Sequence, residues 1–377
     1  MTGPKAFVRQ ELISALPPPL MASGVVLWLR QRLFSGVFNS VLTVVSVALL
    51  AALLWPTIRF LLIDAVWSGS SREACVGQAG PVGACWPFIT AKLTQFAYGI
   101  YPETEQWRVD LTYLIGVALL VPLLVPRIPY KIANAFLFFA AYPVLAYLLL
   151  VGGYENIGLP HVETRLWGGL LVTLVISFMG IIGSLPLGIL LALGRRSDLP
   201  IVRMLSVIFI EFWRGVPLIT VLFFATYMLP FFLPESWKID PLARVLIGVT
   251  LFAGAYMAEV VRGGLAAIPR GQFEGSTALG LGYWRTMIFV ILPQALKHVI
   301  PGIVNSFIAL FKDTTLVLIV SIFDLLGQLR AGFADQNWIT PATLFTGFAF
   351  AGIIYFAISF AMSRYALYTE QRLAVPR

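Results

Sequence analysis

The chain has 377 residues, 59% hydrophobic and only 12% charged, where a soluble domain carries about a quarter charged residues. Its apolar residues gather in runs of about 20, the length at which helix rise matches the hydrocarbon core of a bilayer. Composition therefore excludes a soluble globular fold; the ten-residue alternation of a membrane barrel is absent; and the net charge of +8 sits in short loops beside apolar runs, which excludes nucleic acid as a partner and leaves membrane lipid.

Backbone in lipid has to satisfy its own hydrogen bonds, so the runs are read as helices. The fold class is all-α, a polytopic membrane protein with eight predicted spans. The first, 36–63, is interrupted by Pro56 and Arg59; the residues before it and the lack of a small-residue cleavage site argue against a cleavable signal. A polar loop, 64–109, holds Cys75 and Cys85, the only cysteines, so no multi-cysteine zinc site is available. A disulfide in an oxidising compartment and two free thiols both remain open. Spans 110–126 and 132–152 complete a three-helix extension, 1–152, with few polar residues.

A second region, 160–377, follows with five spans: 167–193, 204–233, 242–262, 286–310 and 342–363. Gly180, Ser184 and Gly188 recur every four residues, a small-residue stripe that lets helices approach closely; Pro186 is expected to bend the same span. The apolar segment 314–330 is too short to span and reads as re-entrant or as a partly buried outer helix. His161 and His298 lie too far apart in this topology to pair on a metal. No internal repeat joins the two regions, which weakens a secondary transporter built from fused repeats.

Orientation follows from the basic residues. With the N terminus inside, the inner segments carry Lys5, Arg9, Arg127, Lys131, Arg195, Arg196, Arg270, Arg285, Arg377 and others, 15 basic residues against four acidic. The outer segments carry seven (Arg72, Lys92, Arg108, Arg165, Lys238, Lys312, Arg330) against 12. Loop 64–109 is thus expected outside and both termini in the cytoplasm.

Charges inside spans are expensive and default to function. Glu211 and Arg214, three apart on one predicted helix, can pair and are read as a structural ion pair; Glu259 and Arg262 repeat the spacing. Between spans six and seven lies a cytoplasmic loop, 262–293. Pro269 and Gly271 mark a helix start and Gly280 with Gly282 a stop, leaving a helix of about ten residues, too short to be stable alone. Two readings stay open on these residues, a helix lying on lipid headgroups and one held in a partner's groove.

The spacing Glu274-Gly-Ser-Thr-Ala-Leu-Gly280, then Val290-Ile-Leu-Pro293, resembles the EAA loop of ABC importer permeases, with Gly275 and Ser276 in place of two alanines and Val290 in place of isoleucine. Phe212-Trp-Arg-Gly-Val-Pro217, Ala258-Glu-Val-Val-Arg-Gly263, Leu292-Pro-Gln-Ala295 and Lys312-Asp-Thr-Thr-Leu316 look like the polar amino acid subfamily, over roughly 165–370. The extra N-terminal spans look most like the larger permease subunits of general L-amino acid systems.

The resemblance implies a type I importer core of five helices and a non-catalytic subunit that moves L-amino acids from periplasm to cytoplasm across a bacterial inner membrane. It implies that Glu274, Gly275, Ser276, Gly280 and Arg270 couple to an ATPase, and that Lys312, Asp313, Thr314, Thr315, Asn305 and Glu259 line the substrate pathway, where a zwitterion needs an anion for its ammonium group and a cation for its carboxylate. The implied partners are a related permease subunit, most simply in a heterodimer, ATPase subunits and a periplasmic amino acid-binding protein. The chain has no phosphate loop, so no cofactor is expected on it, and ATP and Mg belong to the ATPase. The alternative is an ion-coupled secondary amino acid transporter.

Overall fold

The computed structural model describes residues 24–76, 83–125, 127–154, 156, 158–234 and 236–373. Lys5, Arg9 and Arg377, used above for orientation, lie outside them. Among the described residues seven helices are long and apolar enough to cross a membrane, or eight if one bent pair is a single span.

The chain divides into two compact units. The first contains α1 (Val25–Arg32) and α2 (Val37–Ile63). Helix α2 runs through Pro56 and widens into a π turn at Arg59–Ile63, beyond which Arg59 meets Asp64 at 3.1 Å. No residue of α2 is buried within the chain, as suits a helix whose solvent is lipid.

The second unit holds α3 (Trp86–Tyr98), α4 (Gln106–Leu124), α5 (Lys131–Val151), α6 (Gly169–Arg195), α7 (Pro200–Gly215), α8 (Leu218–Phe232), α9 (Pro241–Ala266), α10 (Arg270–Ala278), α11 (Tyr283–Val320), α12 (Leu325–Gly332) and α13 (Pro341–Leu373). Helices α4 and α5, grouped by sequence with an extension over 1–152, share this unit with the region 160–377. Arg108 is one of the links between them. Counted above among outer-loop charges, it is fully buried, donating through Nη1 to the carbonyl of Pro160 at 2.9 Å while Nη2 meets Glu105 at 2.7 Å. Nearby, the Tyr101 hydroxyl donates to Leu150 O at 2.9 Å. Together they pin the ends of α4 and α5 to the segment that leads into α6.

Two spans differ from expectation. The span at 204–233 is two helices, α7 and α8, bent by 102°. Proline disfavours helical backbone in the residue before it; Val216, before Pro217, is extended (φ −104°, ψ 134°) and the helix restarts at Leu218. The span at 286–310 is longer than expected: it contains a π turn at Thr286–Ile291, an α-helix to Asp313 and a 3-10 helix over Thr314–Val320. Lys312 and Asp313 therefore sit on a continuous helix, not in an outer loop.

Helices α6 and α9 form the centre of the unit. Gly180 faces Leu310 and Val249, Ser184 is buried, and Gly188 faces Met257, so the small-residue stripe is where α9 and α11 approach α6. The helix continues through Pro186. Leu171, Ile176, Leu222, Val245, Leu310 and Val317 make one apolar core at the Gly169 end of α6; Leu193, Val261, Leu265, Ile291 and Ala295 make another at the Arg195 end.

The stretch expected as a loop at 64–109 carries α3, which packs Phe88 and Phe96 on Leu325, Leu329 and Trp338. Cys75 and Cys85 are joined in a disulfide, with Cα atoms 5.6 Å apart, and the Cys85 amide donates to Thr346 Oγ1 at 2.8 Å. The segment at 314–330 ends as the short helix α12, whose N-cap Asp324 is buried and accepts from Gly327 N–H and the Tyr355 hydroxyl.

Lys92 of α3 pairs with Asp335. The ammonium group, aided by the Asn337 amide, holds the Asp335 carboxyl below the usual carboxylate range. A carboxyl depressed in the folded state adds stability that is present above its unfolded value, near 4, and is lost as pH falls through the folded one. The melting temperature of the purified protein is thus expected to fall below about pH 4 by a smaller margin in Asp335→Asn; equal losses in both would show that the pair contributes nothing.

Candidate functional site

The short helix α10 is built by its ends. Pro269 precedes its first residue. At its other end Gly280 takes φ +74°, Gly280 N–H donates to Thr277 O at 2.9 Å and Leu281 N–H to Ser276 O at 3.1 Å. That is a Schellman stop, which favours glycine at the left-handed position. A Cβ at Gly280 would meet nothing within 4 Å, so the glycine serves the turn and not a close approach within this chain.

One face of α10 is held by the chain. Phe273 packs on the core at the Arg195 end of α6, with the Arg196 guanidinium 5.7 Å from its ring centroid. Gln294 donates to Gln272 at 3.1 Å, and Ser276 is buried with its hydroxyl turned onto Phe273 O. A cleft lined by Leu193, Arg196, Leu265, Phe273, Thr286 and Met287 opens beside this face. The other face carries Arg270, Glu274, Gly275, Thr277 and Leu279, all exposed, and Leu279 is 81% exposed.

Beside it the ends of α6, α7 and α9 converge on a charge network. Arg195 Nη1 lies 2.9 Å from both Glu211 and Glu259, and Arg262 meets Glu259 at 2.8 Å. Arg214 stands at 3.9 Å from Glu211 and 4.0 Å from Glu259. The pair expected between Glu211 and Arg214 is thus the longer contact, and Arg195 is the nearer partner of Glu211. The i, i+3 spacing could reveal only partners on one helix; Arg195 joins from another. It counted in the sequence only as a positive-inside residue.

The expected pathway residues do not form one group within this chain. Lys312 is exposed and Asp313 half-buried. Thr314 is buried, donating to Phe311 O at 2.8 Å, and the Thr315 hydroxyl donates to Lys312 O at 3.0 Å, so both hydroxyl protons are spent on the helix itself. Asn305 is exposed on the same helix. Glu259 lies elsewhere: Leu310 and Val249 share Gly180 as a neighbour, and Glu259 is ten residues further along α9, about 15 Å at helical rise. Among the described residues no group of three or more metal-ligating side chains occurs.

Residues 184–375 match the family of binding-protein-dependent transport system inner membrane components. The chain is 48% identical over 372 residues to an inner membrane amino-acid ABC transporter permease, YhdY of Escherichia coli (strain K12), spanning 98% of this chain and 99% of that one. It is 40% identical to a glutamate/glutamine/aspartate/asparagine transport system permease, BztC of Rhodobacter capsulatus, with 98% of each covered. Among solved structures, an amino acid ABC transporter crystallised with histidines is 26% identical at a TM-score of 0.47, covering 54% of this chain and 92% of that one. Neither YhdY nor BztC supports the ion-coupled alternative. A bent pair and seven apolar helices, a short helix stopped at Gly280, and relatives matched over nearly their full lengths agree: the chain belongs to the inner-membrane permease subunits of amino-acid ABC importers.

Proposed function

We propose that α10 is the contact through which ATPase subunits drive this permease, with Glu274 and Gly280 central, Arg270 and Gly275 beside them, and Ser276 anchoring the inner face. The exposed face of Glu274 and Leu279, on a helix held only from behind, carries this reading. A helix of nine residues is not stable by itself, and an 81% exposed leucine at its end suits a groove better than water. ATP and Mg are then bound by the ATPase, and this chain performs no covalent chemistry.

The α10 end faces the cytoplasm on this reading, as do both termini, and α3 with its disulfide faces the periplasm, where a binding protein delivers the amino acid. A related permease subunit completes the pathway as a heterodimer. Lys312, Asp313, Thr314, Thr315 and Asn305 line this chain's part of the route for L-amino acids, and Glu259 acts at its inner end.

In the reconstituted complex, Glu274→Ala is expected to lower ATP-driven amino acid uptake about tenfold, equivalent to ~1.4 kcal/mol of coupling, and to reduce co-purification of the ATPase. Full uptake with an undiminished ATPase in the pull-down would remove α10 from the coupling role.

A further inference from the structure

Other arginines at helix ends have a carboxylate: the buried Arg108 has Glu105, and the half-buried Arg195 and exposed Arg262 share Glu259. Arg244 is different. It lies one turn inside the Pro241 end of α9 and is half-buried. Its Nη1 donates to the main-chain carbonyl of Thr226, its Nε is buried without a hydrogen-bond partner, and so is the Thr226 hydroxyl. Asp240, four residues away, is engaged: it accepts from the Leu242 and Ala243 amides and from the Thr164 hydroxyl. Among the described residues no acid pairs with Arg244.

An uncompensated cation in a span is costly and marks function by default, and a buried donor without an acceptor is a deficit that native proteins rarely tolerate. The geometry of the deficit is informative. With Nη1 spent on a carbonyl, the guanidinium keeps its other edge, where Nε–H and an Nη2–H run parallel and match two oxygens of one oxyanion. Thr226 belongs to the π turn Phe224–Met228, a helix defect found often at functional sites, and its hydroxyl can add a third donor.

We propose that Arg244 and Thr226 form an oxyanion site at the Pro241 end of α9 that takes the α-carboxylate of the amino acid in transit. This rests on the transport reading above. A phospholipid phosphate offers the same chemistry to the same fork, and the test separates the two sources.

The complete transporter in nanodiscs would be assayed for binding of a mixture of radiolabelled L-amino acids, and its retained phospholipid measured by mass spectrometry. Arg244→Gln is expected to weaken amino acid binding at least tenfold, with Arg244→Lys losing less. In the wild type, amines made by decarboxylating those amino acids should fail to compete, and that discrimination should shrink in Arg244→Gln, which a merely structural arginine would not alter. Loss of a retained phospholipid with amino acid binding intact would assign the site to phosphate. Unchanged binding and unchanged lipid in a well-folded Arg244→Gln complex would overturn the site. A wild-type complex that binds no amino acid would count against the transport reading, and the lipid measurement alone would then decide Arg244.

Discussion

Arg108→Leu is expected to destabilise the second unit by about 3–5 kcal/mol, the usual cost of removing one partner from a buried ion pair. The substitution strands Glu105, whose carboxylate lies against the guanidinium, and leaves the Pro160 carbonyl without its donor. Space adds to the effect: Gly152 turns at φ +69°, and Nη1 of Arg108 and the Pro160 carbonyl occupy the place a Cβ would take there, so the turn is shaped around the guanidinium. A fluorescence melt of the purified protein, with the monodisperse fraction on size exclusion, would read this out. The double variant Arg108→Leu/Glu105→Leu should recover part of the loss, because it removes the stranded charge. If the single variant melts with the wild type, Arg108 does not pin α4 and α5 to the segment before α6.

Gly188→Val should be nearly as damaging, by overpacking. A Cβ at Gly188 would stand 2.6 Å from Met257 Cγ and 2.9 Å from the Met257 carbonyl carbon. The methionine side chain can give way, but the main-chain carbon cannot, so α6 and α9 have to separate along their shared length. Inserting bulk into a tight core typically costs about 1–3 kcal/mol, and a β-branched residue is at the upper end. Gly352→Ala is the matched control, since nothing lies within 4 Å of a Cβ there. The expected result is a lower melting temperature and reduced uptake for Gly188→Val, with Gly352→Ala at wild-type level. Wild-type behaviour in both would mean that the two helices are not in contact at Gly188.

The spans were legible because lipid leaves a chain one local solution, and twenty apolar residues announce it. The short helix at 270–278 was legible for a related reason: Pro269 and Gly280 are backbone signals that act on their immediate neighbours. What the residues did not announce were contacts between distant segments. Cys75 and Cys85 left thiols and disulfide equally open, and α3 is too short and too mixed to read as a span. Arg108 and Arg195 looked like loop charges because burial is a property of what comes to cover a residue. The break in the span at 204–233 could have been found, since Val216-Pro217 carries its own steric signal; an apolar run on both sides masked it. Arg244 escaped because a single cation has no spacing to recognise. Of the residues proposed for coupling, the sequence located the helix and its stop, while which face stays free depended on Phe273 and Ser276 turning inward.

The packing of α3 on α12 also has an order in time. The disulfide closes across ten residues of sequence, so its loop can be shaped as soon as those residues have been made. The hydrogen bond from Gln95 to Gln328 joins residues 233 apart, and that from Cys85 to Thr346 joins residues 261 apart. Phe88 and Phe96 therefore have no Leu325 or Trp338 to cover them until nearly the whole chain has been made. During synthesis an early, covalently closed loop waits with its aromatic face uncovered, and contacts so distant in sequence are among the slowest to form. A chain truncated after α11 would lack Leu325, Leu329 and Trp338 and leave that face uncovered.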